Sequence, residues 1–396
     1  MKVLQLCLKV PFPPNDGGRI AMYNMQKSWW SNDVQVKVLT FNTIKHPVQL
    51  DQLPSDYFQK STIEGVFLDN QVKVVDALKA LLNGESYNIK RFISEEFTDK
   101  LKAILQRETF DVVQLESLYM APYIETIRQF SNAKIVFRPH NIEYKIWERL
   151  IKNQINPIKK TYLRILTKQL KKYEQSVLNK VDLLLPLTWE DAQELTNMHC
   201  RKSMMVLPIG VDVNDYPMVP PPNNTVIFHL GAMDWLPNVE GVRWFVRKVW
   251  PLVYSKNKNV QLRLAGKGMP ADLLKLNSDS IQVKDWVEDV NRFYANGQIM
   301  VVPLLSGSGM RVKIIEGMAL GKAVVTTSIG LEGILATDRR EVLIANEPAE
   351  FADRILELLD QLELVKSLGV AARKLVEERY DLHFLGKKWK EFVQNN

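Results

Sequence analysis

At 396 residues the chain has room for two ordinary domains, and 46% hydrophobic with 24% charged residues is the balance of a folded globular protein. That balance excludes a disordered polymer, a collagen-like chain and a coiled-coil rod, and no apolar run nears the ~18–20 residues that cross a bilayer. The net charge of +7 is concentrated, because residues 145–180 carry ten basic side chains against Glu148 and Glu174, +8 in all, leaving −1 for the rest.

In chain order, VLQLCL (3–8), QVKVLTF (35–41), DVVQLE (111–116), AKIVFRPH (133–140), VDLLLPL (181–187) and SMMVLP (203–208) are expected as buried parallel strands. Helical patterns fall between them, around 19–30, 118–130 and 188–198. The opening MKVLQLCLKVPFPP is broken by Lys9 and has no small-residue cleavage site, so it is not read as a signal peptide. Cys7 and Cys200 are too few for a disulfide framework or a zinc site, and a cytoplasmic location is expected. NDYPMVPPPNNT (214–225), with four prolines and three asparagines, is expected as an interdomain linker. The alternation then restarts: strands at 225–231, 260–266, 280–286, 299–305 and 322–327, helices at 238–255, 289–296 and 311–320, and a mostly helical end from about 349. The fold class is therefore α/β, two Rossmann-like doubly wound parallel-sheet domains expected to face each other across a cleft. Ligands bind beyond the carboxyl ends of such strands, so the loops there are expected to hold the binding residues.

PFPPNDGGRI follows the first strand, and Gly17-Gly18 at a helix start lets a backbone approach a phosphate. The bland reading is an ordinary strand-to-helix turn. In VVPLLSGSGMRVKIIEGMALGKAVVTT a strand runs into Ser306-Gly307-Ser308-Gly309 and Met310, and then into a helix carrying Arg311, Lys313 and Glu316. A small-residue loop opening a helix with two cations is an anion cradle, and Glu316 offers acceptor oxygens to the hydroxyls of a ribose. The competing reading is an exposed Lys313–Glu316 pair on the helix surface. GKGMPA (266–271) matches G-x-G-x-x-A, but in isolation it reads as a turn rather than a dinucleotide site. His140, ending a strand in RPHNIEY, is expected at a loop mouth with Glu116, Arg138 and Glu143 close by, whereas His229 reads as a core histidine. No Walker A sequence, Asp-x-Asp clamp, H-E-x-x-H or G-x-S-x-G elbow occurs.

IIEGMALGKAVVTTSIGLEG, HLGAMDWLPNVEGVRWF and PFPPNDGGRI together resemble the group 1 glycosyltransferases of the GT-B fold, and within them the subset with a Gly-(Ser/Ala)-Met-Asp-Trp loop. The resemblance spans nearly the whole chain and is densest from Phe228 to Gly333. It implies a retaining, metal-independent glycosyltransferase of the hexosyltransferase type, with no cofactor beyond its nucleotide-sugar substrate. The donor would be a UDP- or GDP-sugar, the acceptor a saccharide or lipid-linked sugar, and the setting polysaccharide biosynthesis. It also implies an acceptor domain over 1–212 completed by a last helix at about 380–396, and a donor domain over 213–379. Carried over by position, Glu316 matches the ribose-binding glutamate, Ser308 stands where a second signature glutamate is usual, Val287 matches the residue that meets the base through its main chain, and His140 the histidine lining the reaction centre. The usual base after the donor domain's first strand is missing from Ala232 to Gly241, which leaves Arg311 and Lys313 for the diphosphate and the glycines of 306–309 for backbone N–H groups.

If the acceptor is lipid-linked, the basic helix PIKKTYLRILTKQLKKYEQSVL, with Ile158, Leu163, Leu166, Leu170 and Leu178 for one face, could rest on anionic headgroups as a peripheral contact. The bland alternative is a solvated domain helix. Rival functions are a GT-B-like nucleotide-sugar epimerase and a non-catalytic nucleotide-sugar-binding protein. A nucleic-acid partner is not expected, because no RNA-binding module or aromatic-interleaved basic stripe is present.

Overall fold

A computed structural model describes Met1–Asn396 except residues 45, 46, 72, 74, 75, 77, 78, 81, 82, 153, 223 and 308, and the side chain of Lys152. The chain divides into two compact units, one of Met1–Ile209 with Leu385–Asn396 and one of Gly210–Phe384.

In the first unit, β1 (Lys2–Cys7), β2 (Gln35–Thr43), β3 (Ser61–Leu68), β4 (Val112–Glu116), β5 (Lys134–Phe137), β6 (Leu183–Leu184) and β7 (Ser203–Met204) form one sheet in the order β3-β2-β1-β4-β5-β6-β7. Every pairing in it is parallel. β1 and β4 are almost entirely buried along their length, as strands with helices on both faces must be. β3 went unread in the sequence because it is the edge strand, half-exposed and mixed in polarity. The last helix, Leu382–Asn395, places Trp389 against Trp29 with ring centroids 5.2 Å apart. The Trp389 indole N–H donates to Gln114 Oε1 at 2.9 Å.

The second unit repeats the plan with β8 (Val226–Leu230), β9 (Gln261–Ala265), β10 (Ile281–Lys284), β11 (Ile299–Val302), β12 (Ala323–Thr326) and β13 (Leu343–Ile344), ordered β10-β9-β8-β11-β12-β13 and all parallel. In each sheet the strand order reverses beside the first strand, between β1 and β4 and between β8 and β11, where the loops part and open a crevice.

The helix expected at 238–255 comes in three pieces: Leu236–Trp244, a wide turn at Phe245–Val249, and Trp250–Lys256. Pro251 has no N–H for the helical ladder, which accounts for the widened turn before it. The proline-rich stretch 214–225 lies inside the second unit. Val219 N–H donates to the Leu320 carbonyl at 3.3 Å. Arg373 donates to the carbonyls of Tyr216 at 2.5 Å and Ala319 at 2.7 Å. The prolines end secondary structure there without freeing the chain from the domain.

Candidate functional site

The crevice of the second unit is built by three loops. β11 ends in Pro303–Met310, which leads into the helix Val312–Ala319. Gly307 has φ +115, and a Cβ on it would meet Arg311 Nη2 at 2.9 Å and the Trp235 ring at 3.0 Å, so the loop needs glycine there. Arg311 is buried, lies 5.3 Å from the Trp235 ring centroid, donates to the Gly309 carbonyl and stands 4.0 Å from Glu332. Its guanidinium thus braces the 306–309 loop. Gly309 and buried Met310 lie on that loop, and Ser308 is outside the described residues.

Lys313 is not paired with Glu316 on the helix surface. Its ammonium donates to Asn238 Oδ1 at 2.7 Å, and Asn238 donates in turn to the Ala232 carbonyl at 2.8 Å. A Cβ built on Gly231 would stand 2.5 Å from Lys313 Nζ. Lys313, in the first turn of the helix Val312–Ala319, thus sets an ammonium against the Gly231–Asn238 segment, which has no basic residue of its own. Burial, then the nearby Arg311 charge, pushes the Lys313 ammonium down to about 7, with Glu316 opposing. His229 sits behind it. Its Nδ1–H donates to the Val301 carbonyl at 2.8 Å, its Nε2 has no partner among the described residues, and burial followed by the Lys313 charge lowers it to about 3. His229 is thus neutral, as a core histidine would be, but it also borders the site. Glu316 accepts the Tyr216 hydroxyl at 3.0 Å. Burial raises its carboxyl, opposed by Tyr216 and by Lys313.

Val287, half-buried beyond β10, lines a cavity of about 600 Å³ with Arg263, Gln282, Trp286 and Arg292. The GKGMPA loop closes onto the crevice: Gly266 has φ +152, and any Cβ there would overlap the Gly231 carbonyl oxygen. Backbone packing, rather than a dinucleotide, accounts for that glycine.

In the first unit the polar centre lies at the β1/β4 reversal. Glu116 is buried and accepts from Gln5 and Gln114 at 2.7 Å each, from Arg138 at 3.2 Å and from His140 Nε2 at 2.7 Å. Burial would raise its carboxyl, but Arg138, His140 and Gln5 hold it down at about 2. An ionised Glu116 can only accept, so His140 carries its proton on Nε2 and, when neutral, presents Nδ1 as a lone pair. Glu143 is near in sequence but belongs to a separate cluster. It accepts the Tyr119 hydroxyl at 2.9 Å and opens the helix Glu143–Lys152, whose first N–H groups are capped by the buried Glu174 at 3.0 and 3.2 Å. Burial pushes Glu143 up to about 7, with Tyr119 opposing, and Glu174 up to about 8 against those backbone bonds. Gly17 and Gly18 open the helix Gly17–Trp30. Asp16 caps it through Arg19 N–H at 3.1 Å and is itself paired with Lys9 at 2.6 Å, so a carboxylate already occupies that N-terminus.

Sequence reasoning missed Asn238, Tyr216, Gln5 and Gln114, each of which holds a predicted residue in place. Only Asn238 left a signal, standing at the end of the GAMDWLPN segment. Among the described residues no group of three His, Cys, Asp or Glu side chains is arranged to hold a metal.

Residues 224–361 match the model of the family described as glycosyl transferases group 1. The chain carries a group 1 glycosyltransferase domain. It is 22% identical over 391 residues, 96% of each chain, to an uncharacterized 44.6 kDa protein in the cps region of Klebsiella pneumoniae. Sucrose-phosphate synthase of Thermosynechococcus elongatus superposes with a TM-score of 0.71 at 13% identity, covering 100% of this chain and 99% of that one. HepE of Anabaena, solved with UDP, gives 0.70 at 14% identity with full coverage of both. The two parallel-sheet domains are those of the GT-B fold.

Proposed function

We propose that this chain moves a sugar from a UDP- or GDP-sugar to a saccharide or lipid-linked acceptor, with retention and without a metal, in the building of cell-surface polysaccharide. The observation that carries the reading is the Lys313 ammonium held by Asn238 against the Gly231 loop, one helical turn from Glu316. A leaving diphosphate needs preorganised positive charge, and Lys313 with the N-terminal N–H groups of its helix supplies it where other enzymes use a metal ion. Tyr216 occupies one oxygen of Glu316 and leaves the other for a ribose hydroxyl. HepE, of the same fold, has been solved with UDP and with UDP-glucose, which favours uracil as the base. In the first unit, His140, oriented by Glu116, is assigned to the acceptor side, while Arg138, buried behind it, is the counter-charge that keeps Glu116 ionised.

The test is thermal unfolding with UDP, GDP, TDP, CMP, ADP and NAD. A ligand at 100 times its dissociation constant adds about 2.7 kcal/mol. One diphosphate should raise the midpoint in the wild type and not in Glu316→Ala, and no shift with any of them rejects the donor site. Turnover of the matching nucleotide sugar then decides the activity. Transfer that needs an acceptor and survives a chelator supports the reading. An altered free sugar without acceptor indicates an epimerase, and tight binding with no turnover a non-catalytic protein.

A further inference from the structure

The basic segment of the first unit folds as two helices, Glu143–Lys152 and Pro157–Leu178, joined by a short turn. Leu166, Leu170 and Leu178 are buried against the domain, as expected of an inner face, but Ile158 is not with them. It is 81% exposed, and Ile155 in the turn is 94% exposed, the two most exposed large apolar side chains among the described residues. Leu150 and Ile165, also exposed, lie on the flanking helices. Not all of the charge around this tip is available. Lys145 is paired with Glu194 at 2.6 Å, Lys180 with Glu125 at 3.2 Å, and Lys171 lies 4.2 Å from the Tyr144 ring centroid. The two acids of the segment do little to offset the rest, since Glu174 is buried beneath as a helix cap and only Glu148 is exposed. Arg164, Lys168 and Lys172 remain exposed on the long helix, on the same solvent side as Ile158 and Ile165, and Lys159 is exposed at the tip itself, next to Ile158 in the first turn.

We propose that this helical tip docks on an anionic lipid bilayer, with Ile155 and Ile158 entering the interface and Lys159, Arg164, Lys168 and Lys172 meeting the headgroup phosphates. The pairing of the two kinds of side chain selects the partner. A cationic face alone suits any polyanion, but two bare isoleucines at the tip gain nothing from a phosphate backbone and gain directly from an acyl boundary. Each basic residue near such a surface strengthens partitioning about fivefold, and burial of an isoleucine about tenfold or more. The proposal is independent of the donor assignment.

Co-sedimentation of the full chain with vesicles of phosphatidylcholine, with and without 30% phosphatidylglycerol, tests it. The wild type should bind only the anionic vesicles and release in half-molar salt. Ile155→Asp with Ile158→Asp, and separately Lys159→Glu with Arg164→Glu and Lys168→Glu, should each weaken binding more than tenfold while the thermal midpoint stays at the wild-type value. Absence of wild-type binding, or retention by either variant, overturns the proposal. So does a random RNA or DNA oligonucleotide that binds as tightly as the vesicles and is indifferent to the isoleucine changes. A lipid-free dimer abolished by those changes, seen by analytical ultracentrifugation, would assign the tip to a second copy and also overturn it.

Discussion

At Lys313 the folded chain holds an ammonium whose proton is lost near pH 7, against an ordinary lysine value of 10.5. Between those values the unfolded chain binds the extra proton, so this residue makes the free protein more stable as pH rises from about 7 towards 10.5. A bound diphosphate works in the opposite direction by favouring the charged form. Affinity for UDP should therefore fall by up to about tenfold per pH unit above 7, and calorimetry on Lys313→Met should show a flat profile. Glu116 is the reverse case. Its folded value of about 2 lies below the ordinary 4.5, so its contribution is full above about 4.5 and is lost as pH falls towards 2. Glu116→Gln leaves Arg138 buried without its counter-charge and should cost about 3–5 kcal/mol in denaturant unfolding at pH 7. Lys313 and Glu316 stand out in the sequence because a loop, a helix start and a charge pattern are local. That Lys313 binds Asn238 instead of Glu316, and that Glu143 sits with Tyr119 and Glu174 instead of with Glu116, depends on contacts between distant segments.

Among the elements, the helix Leu236–Trp244 couples packing to the site. Gly241 lies against the end of β11, where an added Cβ would overlap the Pro303 carbonyl oxygen, and Asn238 is one turn earlier on the same helix. Gly241→Ala must push the helix outward. It should lower stability by about 1–3 kcal/mol and, by moving Asn238, weaken UDP binding as well, both readable from one set of thermal curves with and without UDP. An unchanged UDP affinity would detach Lys313 from this helix. Element type was legible wherever apolar runs or a 3.6-residue pattern were strong. β6 and β7 are much shorter than their apolar runs suggested, two residues each, because periodicity marks burial and not where ladder hydrogen bonds end. β3 was missed because an edge strand with one neighbour need not be apolar on both faces.

Across the whole molecule, the chain leaves its first unit at Ile209 and returns to it at Leu385. Trp389 is fully buried there, its ring against Trp29 and its N–H on Gln114. Trp389→Ala should destabilise the first unit by about 3–5 kcal/mol and leave the UDP dissociation constant of the second unit unchanged. A change in that constant would mean that the last helix acts beyond its own unit. The α/β class and the two parallel sheets were legible along the chain, because alternation of buried strands with helices is carried by neighbouring residues. That the proline-rich stretch belongs to the second unit, that Lys313 bonds to Asn238 on another helix, and that Ile155 and Ile158 face outward became visible in the folded chain alone. Each of these depends on which remote backbone or side chain satisfies a buried polar group or covers an apolar one, and local pattern does not encode that choice.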